Sequence, residues 1–221
     1  MIFVGAVTRD DVNLHWLRSE WWKLPLRRES RVLIESPNRN DPAQNEARSR
    51  ILRAYRGPIV DPIPVDARYR HVRIEEHDLP DISILTCWDW FLDTGRTFAL
   101  TNTLTHLQQG RGGVINGSRQ RVVHFQTVKE KIPYIQDHGS DVFDEYLILV
   151  ATEERGPYTI IDGTHRAAAL LTEHQHSPNT PWNAILIDSP SMTANRWHIG
   201  FADAPHILSE LGELADQGVI W

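Results

Sequence analysis

The chain has 221 residues, of which 41% are apolar and 24% are charged, and its formal net charge is −6. This composition is that of an ordinary globular protein that is long enough to bury a core. The acidic balance argues against nucleic acid as the main partner, and the single cysteine, Cys87, excludes both an internal disulfide and a cysteine-based metal cluster.

The sequence predicts neither a membrane-spanning segment nor a signal peptide. No apolar stretch approaches the length that crossing a bilayer requires. The apolar start, residues 1–7, lacks the basic residues of a signal peptide and soon reaches the charged run 9–11. We therefore expect a cytoplasmic protein, which also agrees with the low cysteine content.

The first 66 residues are predicted to be mainly helical. After a short first strand, Asp10 or Asp11 is expected to cap a helix that ends at Pro25. Residues 32–34 are predicted to form a strand, and Asp41-Pro42 is expected to begin a second helix that Gly57-Pro58 ends. Four arginines of this second helix are expected to be solvated: Arg48, Arg50, Arg53 and Arg56.

A proline-rich connector, residues 58–66, separates this part from one in which strand patterns are more frequent. The predicted strands of the second part are residues 70–74, 82–85, 97–100, 122–125, 146–151, 158–161 and 182–188. Thr127 and Glu130 have the spacing of a capping box, which predicts a helix that Gly139 ends. Residues 108–121 are glycine-rich and predict a surface loop, which could instead close over a ligand.

A polar pentapeptide, Asp162-Gly163-Thr164-His165-Arg166, lies between the strand predicted over residues 158–161 and an alanine-rich helix pattern. The first N–H groups of a helix have no acceptor within the helix, and the macrodipole adds partial positive charge there. Gly163 would let an anion approach the main chain, His165 can donate from its ring, and Arg166 offers a planar fork that fits phosphate. The pattern therefore predicts a phosphate-binding turn.

This pentapeptide and its flanks resemble the phosphate-binding signature of the ParB/sulfiredoxin superfamily. Members carry Gly-x-His-Arg or Gly-x-Arg-Arg at this junction, and the free serine kinases carry Asp-Gly-x-His-Arg, the form that this chain matches best. The resemblance covers roughly residues 121–188. It implies an α+β fold in which residues 67–221 form a ParB/sulfiredoxin-like nucleotide-binding domain, a mixed sheet flanked by helices, preceded by a mainly helical extension over residues 1–66.

The resemblance further implies a kinase that transfers a phosphoryl group from ATP or ADP, with Mg²⁺, to a hydroxyl of an amino-acid-like metabolite. Gly163, Thr164, His165 and Arg166 would bind the phosphates, and His165 would also take part in catalysis. Asp162 would either take the proton of the acceptor hydroxyl or hold the metal. In the free serine kinases a glutamate after an early strand accepts the proton, and Glu76, or its neighbour Glu75, would match it here.

Other functions are compatible with the same residues. Asp-Gly between a strand and a helix is also an ordinary turn, and an arginine in a first helical turn is often solvated. A ParB-like protein that binds CTP or ATP and regulates or associates with DNA is a second class, against which the acidic charge and the lack of a helix-turn-helix pattern argue. A purely structural protein is a third class. Sulfiredoxin chemistry is set aside because Thr164 stands where those enzymes need cysteine.

Overall fold

The protein is built around a mixed sheet of six strands. The computed structural model describes residues 1–20, 28–85, 90, 94, 96–104, 124–138, 146–174, 182–192, 209, 212–213 and 216–217. The strands are β1 (Ile2–Ala6), β2 (Arg68–Ile74), β3 (Ile82–Ile84), β4 (Leu147–Ala151), β5 (Tyr158–Asp162) and β6 (Trp182–Asp188). Their order across the sheet is β1-β2-β6-β4-β5-β3. The pairs β6/β4 and β5/β3 are parallel, and the other neighbours are antiparallel.

The α-helices whose bounds lie within the described residues are α1 (Arg9–Glu20), α2 (Arg28–Glu35), α3 (Pro42–Val60), α4 (His124–His138) and α5 (Thr164–His174). Short 3₁₀ helices span Glu76–Asp81 and Leu100–Asn102. Among these elements, no helix combines the length and apolarity needed to cross a membrane.

Alternate side chains of the central strands build a core on each face of the sheet. Leu147 and Leu149 pack on one side with apolar residues of α4 and α5. Ile148 and Val150 pack on the other side with residues of α1 and α3, including Leu17. Strands that are apolar on both faces require a cover on both, which the helices provide. The expected α+β class, with a mixed sheet flanked by helices, is therefore confirmed, while the ParB/sulfiredoxin-like topology stays a prediction.

The N-terminal part is built onto the same sheet. Strand β1 pairs with β2, and α1 packs against α3 on the face that Ile148, Val150 and Ile187 line. Within residues 1–66, most of those that the structure describes lie in helices, as predicted. The proposed segments 1–66 and 67–221 thus share a sheet and a core, and the functional division between them stays a prediction.

Two predicted features of the N-terminal part are wrong. Residues 32–34 lie in α2 rather than in a strand, because Ile34 is buried while Val32 is 54% exposed, which is the pattern of a helix with one apolar face. Thr8, rather than Asp10 or Asp11, caps α1: its Oγ1 accepts from the N–H of Asp11, and its own N–H donates to Asp11 Oδ2.

Helix α3 begins as predicted and ends later than predicted. Asp41 accepts from the N–H of Ala43 at 2.9 Å, with Pro42 at the first helical position. Gly57-Pro58 does not end the helix, which continues to Val60 after a single residue, Arg56, leaves helical geometry. Because proline clashes with the carbonyl one turn earlier, a local break lets the helix pass through it.

Two predicted strands of the second part are not found in the residues that the structure describes. Residues 97–100 form only an isolated bridge, between Ala99 and Ser83, before a 3₁₀ turn. His124 and Phe125 begin α4, so that Thr127 lies inside this helix instead of capping it. The strands predicted over residues 70–74, 82–85, 146–151, 158–161 and 182–188 are confirmed within one or two residues. The glycine-rich segment 108–121, residues 122–123 and Gly139 lie outside the described residues.

The prediction that all four arginines of α3 are solvated is wrong for Arg48, which is 1% exposed. Its guanidinium donates to the carbonyl oxygens of Leu33 at 3.1 Å and Asn38 at 3.4 Å, and to the side chain of Asn45. It thereby links α2 and the following loop to α3. A buried guanidinium is stable only where such acceptors replace water.

We expect Arg48→Ala to lower the free energy of unfolding by about 2–4 kcal/mol, because it opens a cavity and removes the hydrogen bonds that a buried guanidinium makes to α2 and its loop. Arg50→Ala on the same helix removes a side chain that is 71% exposed and should change stability by less than about 0.5 kcal/mol. Urea unfolding of the two variants measures both values. Equal effects would mean that Arg48 is not the link between α2 and α3.

Candidate functional site

The turn between β5 and α5 is shaped by Gly163. Its φ of +91° is a left-handed conformation that side chains disfavour. A Cβ at this position would lie 2.8 Å from Cδ2 of Leu147 and 2.9 Å from Nη2 of Arg166. The helix begins at once, because the N–H of Ala167 donates to the carbonyl oxygen of Gly163 at 2.9 Å. Glycine is therefore required both by the backbone and by the close packing around it.

Arg166 folds back across this turn. Its Nη2 lies 2.9 Å from Oδ2 of Asp162, and the two side chains are only 6% and 10% exposed. The contact spans four residues, from the last residue of β5 to the first turn of α5. The ion pair therefore fixes a guanidinium directly over Gly163, at the N-terminus of the helix.

The two carboxylate oxygens of Asp162 differ in their surroundings. Oδ2 contacts Arg166 and lies 3.1 Å from Ser19 Oγ, whose single proton is shared with the carbonyl oxygen of Trp16 at 2.8 Å. No donor among the described residues reaches Oδ1. Asp162 is thus held through one oxygen, while the other can accept a proton or a ligand.

A second ion pair, of which only the acid is buried, lies beside the first. Glu20, at the end of α1, is 5% exposed, and its Oε2 lies 2.7 Å from Nη2 of Arg56, at the break in α3. Arg56 is therefore not the freely solvated side chain that the sequence predicted. Ser19, Glu20 and Arg56 were not predicted as site residues, because their proximity to Asp162 comes from the packing of α1 on the sheet and no local motif marks them.

Burial raises the pKa of Asp162 above its ordinary value, and the Arg166 guanidinium offsets part of this rise. The carboxylate of Glu20 adds to the rise, whereas Ser19 and Arg56 oppose it. A carboxyl group whose pKa is displaced toward neutrality is better suited to accept a proton than a free one.

This shift makes the stability of the fold depend on pH. The pKa of Asp162 is higher in the folded than in the unfolded state. The protonated side chain therefore contributes its full stabilisation below the unfolded-state pKa of about 3.9, and this contribution is lost as the pH rises through the folded-state pKa. We therefore expect the free energy of unfolding of the wild type to fall relative to that of Asp162→Asn over this range. Urea unfolding between about pH 4 and 7 tests this, and parallel pH profiles for the two proteins would contradict it.

Thr164 and His165, the remaining residues of the predicted phosphate-binding turn, are partly exposed on the first turn of α5. The imidazole of His165 lies 5.1 Å from the ring of Trp90, at an interplanar angle of 58°. The structure therefore brings the whole pentapeptide to one turn, and the roles of Thr164 and His165 in binding and catalysis stay predictions.

Glu76 lies on a different element. It is exposed at the first position of the 3₁₀ helix, in a group of polar side chains that includes Glu75, His77 and Asp78. Asp78 already accepts from the amino group of Met1 at 2.6 Å and from the N–H of Glu75 at 2.8 Å. In the described part of the chain Glu76 forms no hydrogen bond or ion pair with the pentapeptide, and its role as proton acceptor stays a prediction. Glu20 is the glutamate that packs near Asp162.

Comparison with known proteins finds no family model, no curated protein and no solved structure that matches the chain. The resemblance to the ParB/sulfiredoxin superfamily therefore rests on the pentapeptide and its flanking strand and helix.

Proposed function

We propose that the chain is a nucleotide-dependent kinase of small molecules, which transfers a phosphoryl group from ATP or ADP to a hydroxyl of an amino-acid-like metabolite. The observation that carries this proposal is the guanidinium of Arg166, held by Asp162 across the N-terminus of an eleven-residue helix whose preceding residue is glycine.

The local chemistry fits a phosphate group. Gly163 has no side-chain oxygen that could cap the helix, and the start of a helix that follows a glycine is a place where proteins commonly bind anions. The helix dipole adds partial positive charge at the same point. The fork of Arg166 supplies a full charge with the geometry that suits phosphate oxygens.

Asp162 supplies the acid–base function. Ser19 and Arg166 hold Oδ2, which orients the carboxylate and leaves Oδ1 for the acceptor hydroxyl. When the hydroxyl oxygen attacks the terminal phosphorus, its proton would pass to Oδ1, and the bond from that phosphorus to the bridging oxygen would break, so that ATP leaves as ADP or ADP leaves as AMP. Mg²⁺, when bound, would neutralise charge on the phosphates, and holding that ion is the alternative role of Oδ1.

The experiment is a thermal-shift titration with ATP, ADP and CTP, with and without Mg²⁺, followed by ³¹P NMR of reactions with a panel of hydroxy amino acids. We expect stabilisation by ATP or ADP and a new phosphomonoester resonance. Asp162→Asn should keep nucleotide binding but abolish transfer, whereas Arg50→Ala should behave as the wild type. Stabilisation by CTP without transfer would favour the ParB-like regulatory alternative, and the absence of stabilisation by any nucleotide would defeat both.

A further inference from the structure

A cleft of about 390 Å³ lies between the first half of α1 and the first half of α3, on the side of the N-terminal helices. The residues that matter to its chemistry come from both helices: Arg9, Asp10, Asn13, Glu46, Ser49 and Arg53. Clefts of this size can hold a small molecule.

The floor of the cleft offers hydrogen-bonding groups that the described residues do not satisfy. Asn13 is only 5% exposed, yet its side-chain amide forms no hydrogen bond with any described residue. The hydroxyl of Ser49 is likewise without a hydrogen bond in that part of the chain. The amide atoms of Asn13 are not among the side-chain atoms that are enclosed without a partner, so they can form hydrogen bonds to water or to a polar ligand in the cleft.

The rim carries both signs of charge. Arg9 and Asp10 form no ion pair with other described residues, although both line the cleft. Arg53 lies 3.6 Å from Asp61, and Glu46 lies 4.0 Å from Arg50, and both partners lie outside the cleft. Ion pairs this long and exposed contribute little, so these side chains are available to a ligand.

We propose that this cleft binds a small zwitterion that carries one carboxylate and one ammonium group, of the class of free α-amino acids. A ligand with a single charge would meet repulsion from the rim residues of like sign, whereas a zwitterion can place its carboxylate near an arginine of the rim, Arg9 or Arg53, and its ammonium near an acid, Asp10 or Glu46. Its remaining polar atoms face the amide of Asn13 and the hydroxyl of Ser49.

This site is separate from the phosphate-binding turn. Asn13 and Ser19 are six residues apart on α1, which corresponds to about 9 Å along the helix axis. Binding in the cleft therefore does not depend on the kinase proposal, and its test requires no nucleotide.

The test uses the ¹⁵N-labelled full chain and follows the side-chain amide resonances of Asn13 during titration with L-serine, L-glutamine or L-arginine. Acetate and methylammonium, added singly, serve as half-ligands. We expect a saturating shift with at least one amino acid and at least tenfold weaker binding of each half-ligand. Asn13→Ala, followed through the backbone amides of residues 9–13, should weaken binding about tenfold, the effect of losing one charge-assisted hydrogen bond.

Ser49→Ala provides a second, milder variant if Asn13→Ala fails to fold, and Ser36→Ala, at an exposed serine outside the cleft, is its matched control. Ser49→Ala should weaken binding, and Ser36→Ala should leave it unchanged. The proposal is overturned if no amino acid saturates the shift at about 20 mM, where even weak ligands bind. It is equally overturned if a half-ligand binds as well as the zwitterion, or if binding by Ser49→Ala equals that by Ser36→Ala.

Discussion

Replacing Gly163 with alanine is expected to abolish nucleotide binding and to lower the free energy of unfolding by about 2–4 kcal/mol. The left-handed backbone at φ +91° disfavours any Cβ, and this one would lie within 3 Å of both Leu147 and Arg166. The guanidinium would be displaced from its position over the helix N-terminus. Urea unfolding measures the first effect, and fluorescence titration with a labelled nucleotide measures the second.

Gly5→Ala is the matched control for this substitution. A Cβ at Gly5 meets no atom within 4 Å, and its φ lies outside the left-handed region. We expect this variant to bind nucleotide as the wild type does and to change stability by less than about 1 kcal/mol. If Gly163→Ala behaves in the same way as Gly5→Ala, the turn is not the phosphate-binding element.

Arg166→Met is expected to have the second large effect. It leaves the buried carboxylate of Asp162 without its nearest cation, a change that typically costs about 3–5 kcal/mol. The pKa of Asp162 should rise further, since the guanidinium that lowers it is gone. Nucleotide binding should be lost because the guanidinium that Asp162 holds at the turn has been removed. Chemical unfolding and the same fluorescence titration measure the two effects.

The double variant Asp162→Asn with Arg166→Met separates folding from function. Since it removes both charges, it should recover part of the stability lost in Arg166→Met while still failing to bind nucleotide. Arg39→Met breaks an exposed pair with Asp11, in which the arginine side chain is 60% exposed, and should cost less than about 1 kcal/mol. A double variant that binds nucleotide normally would show that Arg166 does not contribute to nucleotide binding.

The sequence predicts best where the local signal is strong. The Asp41-Pro42 helix start, the buried strands around residues 146–161 and the turn after Asp162 each combine a conformational constraint with an apolar pattern, and each was predicted correctly. The apolar run at residues 32–34 is too short to distinguish the two-residue repeat of a strand from the 3.6-residue repeat of a helix. The helix becomes evident only from the packing of Ile34 with residues of α1 and α3.

The burial and pairing of charged side chains could not be predicted from the local sequence. Arg48 has the same local surroundings in sequence as Arg50 and Arg53, and it is buried only because α2 and its loop offer carbonyl oxygens to it. Glu20 and Arg56 are 36 residues apart, so their ion pair depends on how α1 and α3 pack. A motif can indicate a turn that binds an anion, but it cannot identify the side chains that distant helices bring to it.

Because α1 and α3 cover one face of the sheet, a fragment that starts at residue 67 would leave Ile148, Val150 and Ile187 in contact with water. Such a fragment would expose a flat apolar surface and the unpaired edge of β2, the combination that drives aggregation. Biochemical work on the phosphate-binding turn therefore requires the N-terminal helices, even for experiments that concern only residues 162–166.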